Sequence, residues 1–314
     1  MHGDVTSPNH VRTAQRVRTR ERASFDSLAA RITRAASRQT YYTARFLADR
    51  DRTLDFYRAY AYFRWADDQL DLHESERVQQ LSFVARQSKL VDRVYQGERL
   101  GGLTDEEQLL VDLIHHDDED NSGLQSYIRN MMAVLEFDAN RRGRLITEAE
   151  LAAYTLHVSK AVTDALHYFI GHANATPASE SRYLPAMAAH ITHLLRDTFE
   201  DVEAGYFNVP RELLESNGIT PSDVDSATYR EWVRSRVERA RAYFRAGARY
   251  LHQVKSLRCR IAGFAYTARF TGILDAIERE GYQLRPAYPD VTGIRYGLRM
   301  AGSVGIHALR RGSV

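Results

Sequence analysis

The chain has 314 residues, of which 44% are hydrophobic and 27% are charged, the composition of an ordinary soluble globular protein. Its 18 glycines and 7 prolines are too few for the turns of a strand-rich sandwich or barrel, and they also exclude collagen-like and low-complexity classes. The net charge of +2 is too small for general nucleic-acid binding, and the single cysteine, Cys259, excludes an internal disulfide. We therefore expect no nucleic-acid partner and a reducing, cytoplasmic location.

The first segment, residues 1–23, is predicted to be a basic disordered arm. It lacks the apolar stretch of a signal peptide, and it carries five arginines: Arg12, Arg16, Arg18, Arg20 and Arg22. No run of 18 apolar residues occurs, so no membrane-spanning helix is predicted. The arm and the basic residues Arg299, Arg310 and Arg311 favour peripheral, salt-sensitive contact with the inner face of an anionic membrane.

Residues 24–314 are predicted to form a single all-α domain, because helical periodicity dominates and no segment alternates with period two. Glycine- and proline-containing breaks separate the helices near Gly97–Gly102 and over 208–226. A third break, the acidic run 117–123, is expected to be a solvated loop rather than a metal site. The predicted helices span 24–48, 53–73, 76–97, 105–116, 123–140, 148–172, 180–205, 228–254 and 258–281, with a last basic amphipathic helix at 294–309.

The first informative pattern is Arg64-Trp-Ala-Asp67-Asp68-Gln-Leu-Asp71. On a helix that turns about 100° per residue, Asp67 and Asp71 lie about 40° apart and share a face with Tyr60 and Arg64. The preceding turns are apolar on nearly every side, which predicts a buried helix. Buried carboxylates need a cationic partner or a metal ion.

The second pattern is His190-Ile-Thr-His193-Leu-Leu-Arg196-Asp197-Thr-Phe-Glu200-Asp201. His193, Asp197 and Asp201 recur every four residues and form one narrow stripe with His190. The stripe is embedded in core-like alanines and leucines.

Two helices that each offer carboxylates at i and i+4 suit hard divalent cations, and Mg²⁺ in particular shares its coordination shell with substrate phosphates. Arg64 and Arg196 lie beside the two patterns and are candidates to bind phosphate oxygens. A zinc or di-iron site is the competing interpretation, because His190 and His193 are near. A di-iron bundle would need paired Glu-x-x-His motifs, which these helices do not offer.

With both patterns in place, the sequence resembles the squalene/phytoene synthase family of trans-isoprenoid enzymes. Asp67-Asp68-Gln-Leu-Asp71, with Tyr60 and Arg64 before it, matches the family's first aspartate-rich motif. Leu194-Leu-Arg196-Asp197-Thr-Phe-Glu200-Asp201, followed by Gly205 and Pro210-Arg-Glu-Leu-Leu, matches the second. The resemblance runs from about residue 38 to 300 and includes two flanking segments, Tyr41-Tyr42-Thr-Ala-Arg45 and Ile273-Leu-Asp-Ala-Ile-Glu278 with Gly281-Tyr282.

The resemblance implies an all-α isoprenoid-synthase helical bundle around a central cavity. Several Mg²⁺ ions would bind the diphosphate of an allylic substrate, and aromatic rings would stabilise the allylic cation. The candidate rings are Tyr41, Tyr42, Tyr57, Tyr60, Phe63 and Tyr154. A second allylic diphosphate then adds head to head, through a cyclopropyl intermediate, to give a squalene- or phytoene-type product. By the same resemblance, catalytic roles are assigned to Tyr60, Arg64, Tyr154, Arg196 and Tyr282, metal binding to Asp67, Asp68, Asp71, His193, Asp197, Glu200 and Asp201, and substrate binding to Tyr41, Tyr42, Arg45, Tyr57, Phe63, His190 and Lys160.

Several positions depart from the family pattern. His190 and His193 stand where the family usually has Gln and Asn, and Tyr206 and Asn208 where it commonly has Arg and Tyr. The segment 158–164 replaces a small, Val-Ala-Gly-rich stretch. Its Lys160 is expected to face a phosphate, to pair with Asp164 at i+4, or to point outward, with the pairing slightly favoured. These departures leave the residues that would ionise the first prenyl diphosphate intact and alter the pocket. They therefore affect the assignment of the second prenyl substrate more than that of the first.

Two other functions are weighed against head-to-head condensation. The first is a class I terpene cyclase that ionises one prenyl diphosphate with the same Mg²⁺ cluster. The second is a non-catalytic scaffold relative, which is less favoured because the aspartates are present. The sequence leaves use of NADPH undecided: it has no glycine-rich fingerprint after a strand, and squalene-type reduction in the family does not use one.

Overall fold

The computed structural model describes residues 28–72, 77–172, 174, 177 and 179–288, and the regular secondary structure among them is helical, with no strand. The all-α prediction is thus confirmed for this part of the chain. The helices are α1 (28–36 as described), α2 (Arg38–Leu47), α3 (Thr53–Leu72), α4 (Arg77–Tyr95), α5 (Asp105–His115), α6 (Gly123–Arg141), α7 (Glu148–Phe169), a 3₁₀ turn (Glu180–Tyr183), α8 (Leu184–Arg196), α9 (Thr198–Glu203), α10 (Arg211–Asn217), α11 (Ala227–Gln253) and α12 (Leu257–Arg279).

The described residues divide into two compact units. Unit 1 comprises those in Met1–Leu72 and Leu90–Asp118, and unit 2 those in His73–Lys89 and Glu119–Val314. The prediction of one catalytic domain over 24–314 stays a prediction. The predicted arm at 1–23 and the predicted helix at 294–309 lie outside the described residues.

The observed helices follow the predicted ones closely, and three differences have local causes. Ser37 interrupts the first predicted helix because its hydroxyl accepts a hydrogen bond from the Thr40 amide and caps a new helix, α2. Asp197 separates α8 from α9, with φ of −95° and ψ of 8°. The predicted break over 208–226 contains a short helix, α10, which ends at Gly218 in the left-handed conformation.

In unit 2, α8 packs among α7, α11 and α12 and carries the second aspartate pattern at its end. Small residues make this packing close: a Cβ added at Gly247 of α11 would lie 2.5 Å from Cγ of Pro185 in the first turn of α8. The core against this helix includes Leu195, Val237 and Leu274, all nearly inaccessible. The helix that carries the second aspartate pattern is therefore closely packed in the core of unit 2.

His167 links α7 to α11 and α12. Its Nε2 lies 3.0 Å from the Tyr250 hydroxyl and its Nδ1 lies 3.4 Å from Sγ of Cys259. Burial, together with the positive charge of Arg182, lowers the pKa of His167 to about 4 from the ordinary 6.5. The imidazole is therefore neutral in the folded protein at neutral pH.

This neutral imidazole makes the free energy of unfolding depend on pH. Between pH 6.5 and 4 the unfolded chain binds a proton at His167, whereas the folded chain does not. The free energy of unfolding therefore falls as the pH falls. From pH 7 to pH 5 the loss from this one group is about 2 kcal/mol. We expect His167→Gln to lose correspondingly less stability over that range in urea unfolding, whereas the control His115→Gln, at an exposed histidine, retains the wild-type slope. Equal slopes in wild type and His167→Gln would contradict this account.

Candidate active site

In unit 1, a buried arginine anchors the helix that carries the first aspartate pattern. Arg58, which is fully buried, lies 2.8 Å from Asp55 Oδ1 and 3.1 Å from His116 Nδ1. His116 Nδ1 in turn lies 3.0 Å from Asp55 Oδ1. This network fixes the first half of α3 against the end of α5.

The aspartate pattern itself lies on a more open stretch of α3. The turns before it are buried, as predicted, but Asp67 and Asp68 are about half exposed, with side-chain exposures of 55% and 48%, and Asp71 is also exposed. The expectation that the carboxylates are buried is therefore wrong: the buried face of α3 continues through Ala66 and Leu70, and the three aspartates lie on the more open side of the helix. The Arg64 guanidinium pairs with Asp68 and lies 3.4 Å from Asp67.

The predicted aromatic residues of unit 1 form pairs. Tyr41 stacks on Tyr57 with ring centroids 5.3 Å apart, and Tyr42 stacks on Phe46 at 6.0 Å. Phe63 is buried edge-to-face with Tyr62. Of the other predicted residues, Tyr60 is partly buried and Arg45 is exposed.

In unit 2, the second pattern keeps its predicted stripe although the helix is interrupted at Asp197. The amide of Asp197 bonds to the His193 carbonyl at 3.0 Å, and the amide of Asp201 bonds to the Asp197 carbonyl at 2.8 Å. These bonds continue the i to i−4 pattern across the break. Glu200 is exposed on this segment.

The pKa values of the two aspartates of this stripe are shifted in opposite directions. Asp197 is partly buried, but hydrogen bonds from Arg196 Nη2 at 2.6 Å and His193 Nε2 at 2.7 Å outweigh that burial and hold its pKa well below the usual range. Burial raises the pKa of Asp201 to about 6, against the opposing charge of Arg141 and a hydrogen bond from Asn208. Arg196, predicted to bind phosphate, donates hydrogen bonds to Asp197 from two of its nitrogens.

Sequence reasoning missed a residue at the centre of this region, Arg141. Its Nε donates to Asp138 Oδ1 at 2.7 Å and its Nη1 donates to Asn208 Oδ1 at 2.7 Å. Its guanidinium carbon lies 4.9 Å from the Tyr154 ring centroid and 4.8 Å from that of Tyr206. The only available signal was Asp138 three residues earlier on the same helix face.

The predicted residues Tyr154 and His190 lie together in the buried part of unit 2. Their rings meet edge to face with centroids 4.9 Å apart, and Phe137 stacks on Tyr154 at 4.6 Å. The Tyr154 hydroxyl donates to Asp138 Oδ2 at 3.1 Å. Burial lowers the pKa of His190 to about 3, so its ring is neutral, and its Nδ1 lies 3.2 Å from the Thr155 hydroxyl.

Two further predicted residues lie elsewhere in unit 2. Lys160 Nζ lies 5.9 Å from the Tyr183 ring centroid, while Asp164, its expected partner, bonds to Ser126 at 2.6 Å and lies 3.8 Å from Arg182. Tyr282 follows α12 with a φ of 67°, and Arg234 lies 5.0 Å from its ring centroid. A positive φ at a tyrosine is uncommon and marks local strain.

The donor atoms of the two patterns suit Mg²⁺ in chemical type, because most are hard carboxylate oxygens. Asp197 in particular is ionised throughout the physiological pH range. Across 28–72, 77–172 and 179–288, however, no three His, Cys, Asp or Glu side chains are gathered so that they could hold a metal ion.

Comparison with known proteins identifies the family. A family profile described as squalene/phytoene synthase matches residues 33–295. The chain is 32% identical over 143 residues to a phytoene synthase of Thermus thermophilus, covering 44% of the chain and 48% of that protein. It is 27% identical over 256 residues to the chloroplastic phytoene synthase 3 of Zea mays, covering 78% of the chain and 57% of that protein. The chain thus spans about half the length of the curated relatives it matches.

Two solved structures resemble the chain in fold. A dehydrosqualene synthase in complex with ligand superposes with a TM-score of 0.70 at 15% identity, covering 92% of this chain and 98% of that one. The squalene synthase HpnC of Alicyclobacillus acidocaldarius gives a TM-score of 0.64 at 20% identity, covering 83% and 96%. The predicted isoprenoid-synthase fold is confirmed.

The buried and exposed ion pairs of α3 should differ in their contribution to stability. Arg58→Met leaves Asp55 buried without its guanidinium, and we expect a loss of about 3–5 kcal/mol in the free energy of unfolding. Arg64→Met removes an exposed pair with the same i, i+3 spacing and should cost less than about 1 kcal/mol. Urea unfolding at pH 7 measures both values, and equal losses would refute the anchoring role of Arg58.

Proposed function

Because the chain belongs to the squalene/phytoene synthase family, we propose that it is a prenyltransferase that condenses two allylic prenyl diphosphates head to head into a squalene- or phytoene-type product. The observation that carries this proposal is the family match over residues 33–295, which spans both aspartate patterns in their expected order. The relatives and structures described above give no support to a single-substrate cyclase.

In this proposal each pattern binds Mg²⁺ through its own carboxylates: Asp67 and Asp71, with Asp68 beside them, in the first pattern, and Asp197 and Asp201, with His193 and Glu200 beside them, in the second. When bound, the metal supplies positive charge that stabilises the departing diphosphate. The carboxylate of Asp197 is kept ionised by Arg196 and His193, so it is ready to bind a cation at neutral pH.

The chain's own side chains would contribute binding and exclusion of water. Arg64 and Arg196 each lie beside a carboxylate of these patterns, and each can exchange part of that pairing for a phosphate oxygen. The buried rings of Tyr154 and His190, with the partly buried ring of Phe137 stacked on Tyr154, would form an aromatic wall that excludes water within unit 2.

The reaction is tested by product size and by diphosphate release. With purified protein, Mg²⁺ and C10, C15 or C20 allylic diphosphates, we expect a product with the carbon count of two substrates. Asp67→Ala and Asp197→Ala should each lower turnover at least a hundredfold, since both remove a proposed metal ligand. The matched controls Asp92→Ala and Asp223→Ala, on described residues outside both patterns, should retain turnover.

Each alternative function predicts a different result. A product with the carbon count of one substrate would show that the protein cyclises a single prenyl diphosphate, and would contradict the proposed condensation. Diphosphate release that survives both substitutions, or that survives removal of divalent cations by EDTA, would overturn the proposed metal cluster.

We also propose contact with an anionic membrane through α2. No described helix is long and apolar enough to cross a bilayer, but Phe46 is 70% exposed and its stacking partner Tyr42 is 48% exposed. Within 28–52 these rings are accompanied by one exposed aspartate, Asp51, and by five exposed arginines: Arg31, Arg34, Arg38, Arg45 and Arg50. An exposed aromatic pair within a basic surface matches the apolar and anionic layers of a lipid interface.

Vesicle binding tests this surface. We expect sedimentation with phosphatidylglycerol-containing vesicles at low salt, weaker binding at high salt, and a loss of about tenfold in partitioning for Phe46→Ser. Val78→Ser, at a side chain that is 80% exposed and belongs to unit 2 rather than to residues 28–52, serves as the matched control. Unchanged binding after both Phe46→Ser and Tyr42→Ser would contradict the proposed contact.

A further inference from the structure

Arg141 is a buried cation that belongs to neither aspartate pattern yet connects three parts of unit 2. Its side chain is only 6% exposed, and it is held by Asp138 on its own helix. The rings of Tyr154 and Tyr206 lie within 5 Å of the guanidinium carbon. A cation so enclosed has a defined position, because the fork of donors and the ring faces all constrain it.

Asn208 connects this cation to the second pattern. Its Oδ1 accepts from Arg141 Nη1 at 2.7 Å, and its Nδ2 donates to Asp201 Oδ2 at 2.6 Å. The amide orientation follows from the chemistry of the partners, since a guanidinium only donates and a carboxylate accepts. The Asn208 amide therefore bridges Arg141 and Asp201 through two hydrogen bonds.

The backbone on either side of the Asn208 bridge is also held by hydrogen bonds. The amide of Gly143, in the loop after Arg141, bonds to the Gly205 carbonyl at 2.8 Å. The amide of Tyr206 bonds to the Asp201 carbonyl at 2.6 Å. Asn208 itself is only 5% exposed, so its side chain has little freedom to move away from Asp201.

We propose that Arg141 and Asn208 are positioning residues for Asp201: the guanidinium orients the Asn208 amide, and the amide holds Oδ2 of Asp201 and thereby sets the direction of its other oxygen, Oδ1. The inference rests on the proposed function, in which Asp201 binds Mg²⁺. Hydrogen-bond partners that orient a metal ligand contribute 10–100-fold to metal affinity as a rule.

The experiment measures Mg²⁺ affinity separately from turnover. The thermal unfolding midpoint is followed against Mg²⁺ concentration with inorganic diphosphate as the probe, and the Mg²⁺ dependence of turnover is measured in parallel. Asn208→Leu keeps the branched shape of asparagine but can neither accept from Arg141 nor donate to Asp201. We expect it to raise the half-saturating Mg²⁺ concentration about 10–100-fold in both assays, with turnover recovered at saturating Mg²⁺.

Two further variants keep the test decisive. Arg141→Lys retains the charge but not the fork and should shift half-saturation in the same direction even if Asn208→Leu fails to fold. Arg142→Lys is the matched control: Arg142 contacts the same loop, through the Ala204 carbonyl at 3.0 Å and the Tyr206 ring at 5.9 Å, and it should leave the Mg²⁺ dependence unchanged.

Asp201→Asn distinguishes this inference from the proposed function. Unchanged half-saturation in Asn208→Leu and Arg141→Lys, with a large increase in Asp201→Asn, would overturn the positioning role and leave the metal cluster standing. An equal increase in Arg142→Lys would also overturn it, because the effect would then belong to the loop. Unchanged half-saturation in Asp201→Asn would overturn the metal role of Asp201 and this inference with it.

Discussion

The buried Arg141 guanidinium is the interaction on which the arrangement of the second aspartate pattern depends. Removing a cation from water is costly, and here Asp138, the Asn208 amide and two aromatic faces offset that cost. Because these partners are distributed over α6, α7 and the loop before α10, the charge cannot be satisfied unless all three are correctly placed. Stability and the geometry of Asp201 are thus coupled through one side chain.

Each unit has a buried arginine–carboxylate pair that fixes a helix and, at its aspartate pattern, a more exposed pair. Arg58 and Arg141 are buried and fix their helices. Arg64 lies with Asp67 and Asp68 on an exposed stretch, where water and salt weaken the pairing. A carboxylate in a weak pair can exchange its partner for a metal ion with little loss of free energy. The proposed ligands of the first pattern therefore lie where such exchange is easy, whereas Arg58 and Arg141 lie where the loss of a partner is strongly destabilising.

Much of the fold was predictable because its boundaries are set by local chemistry. Thr104 with Glu107 and Thr147 with Glu150 form capping boxes that start α5 and α7 at the predicted residues. The helix α10 was missed because a seven-residue helix is too short to give a periodic pattern. Arg141 was missed because, apart from Asp138, its partners Tyr154, Tyr206 and Asn208 are distant in sequence, although Asn208 already departs from the family pattern.

The position of Arg141 also changes the interpretation of Tyr154. An aromatic face attracts a cation through its quadrupole, and sequence reasoning offered Tyr154 as such a face for an allylic cation. One cation, the guanidinium of Arg141, already lies 4.9 Å from its ring centroid, while Phe137 and His190 pack on the same ring. A second positive charge at that ring would be repelled by the first. The contact that the structure shows for Tyr154 is through its hydroxyl, which bonds to Asp138 and so helps to hold Arg141 in place.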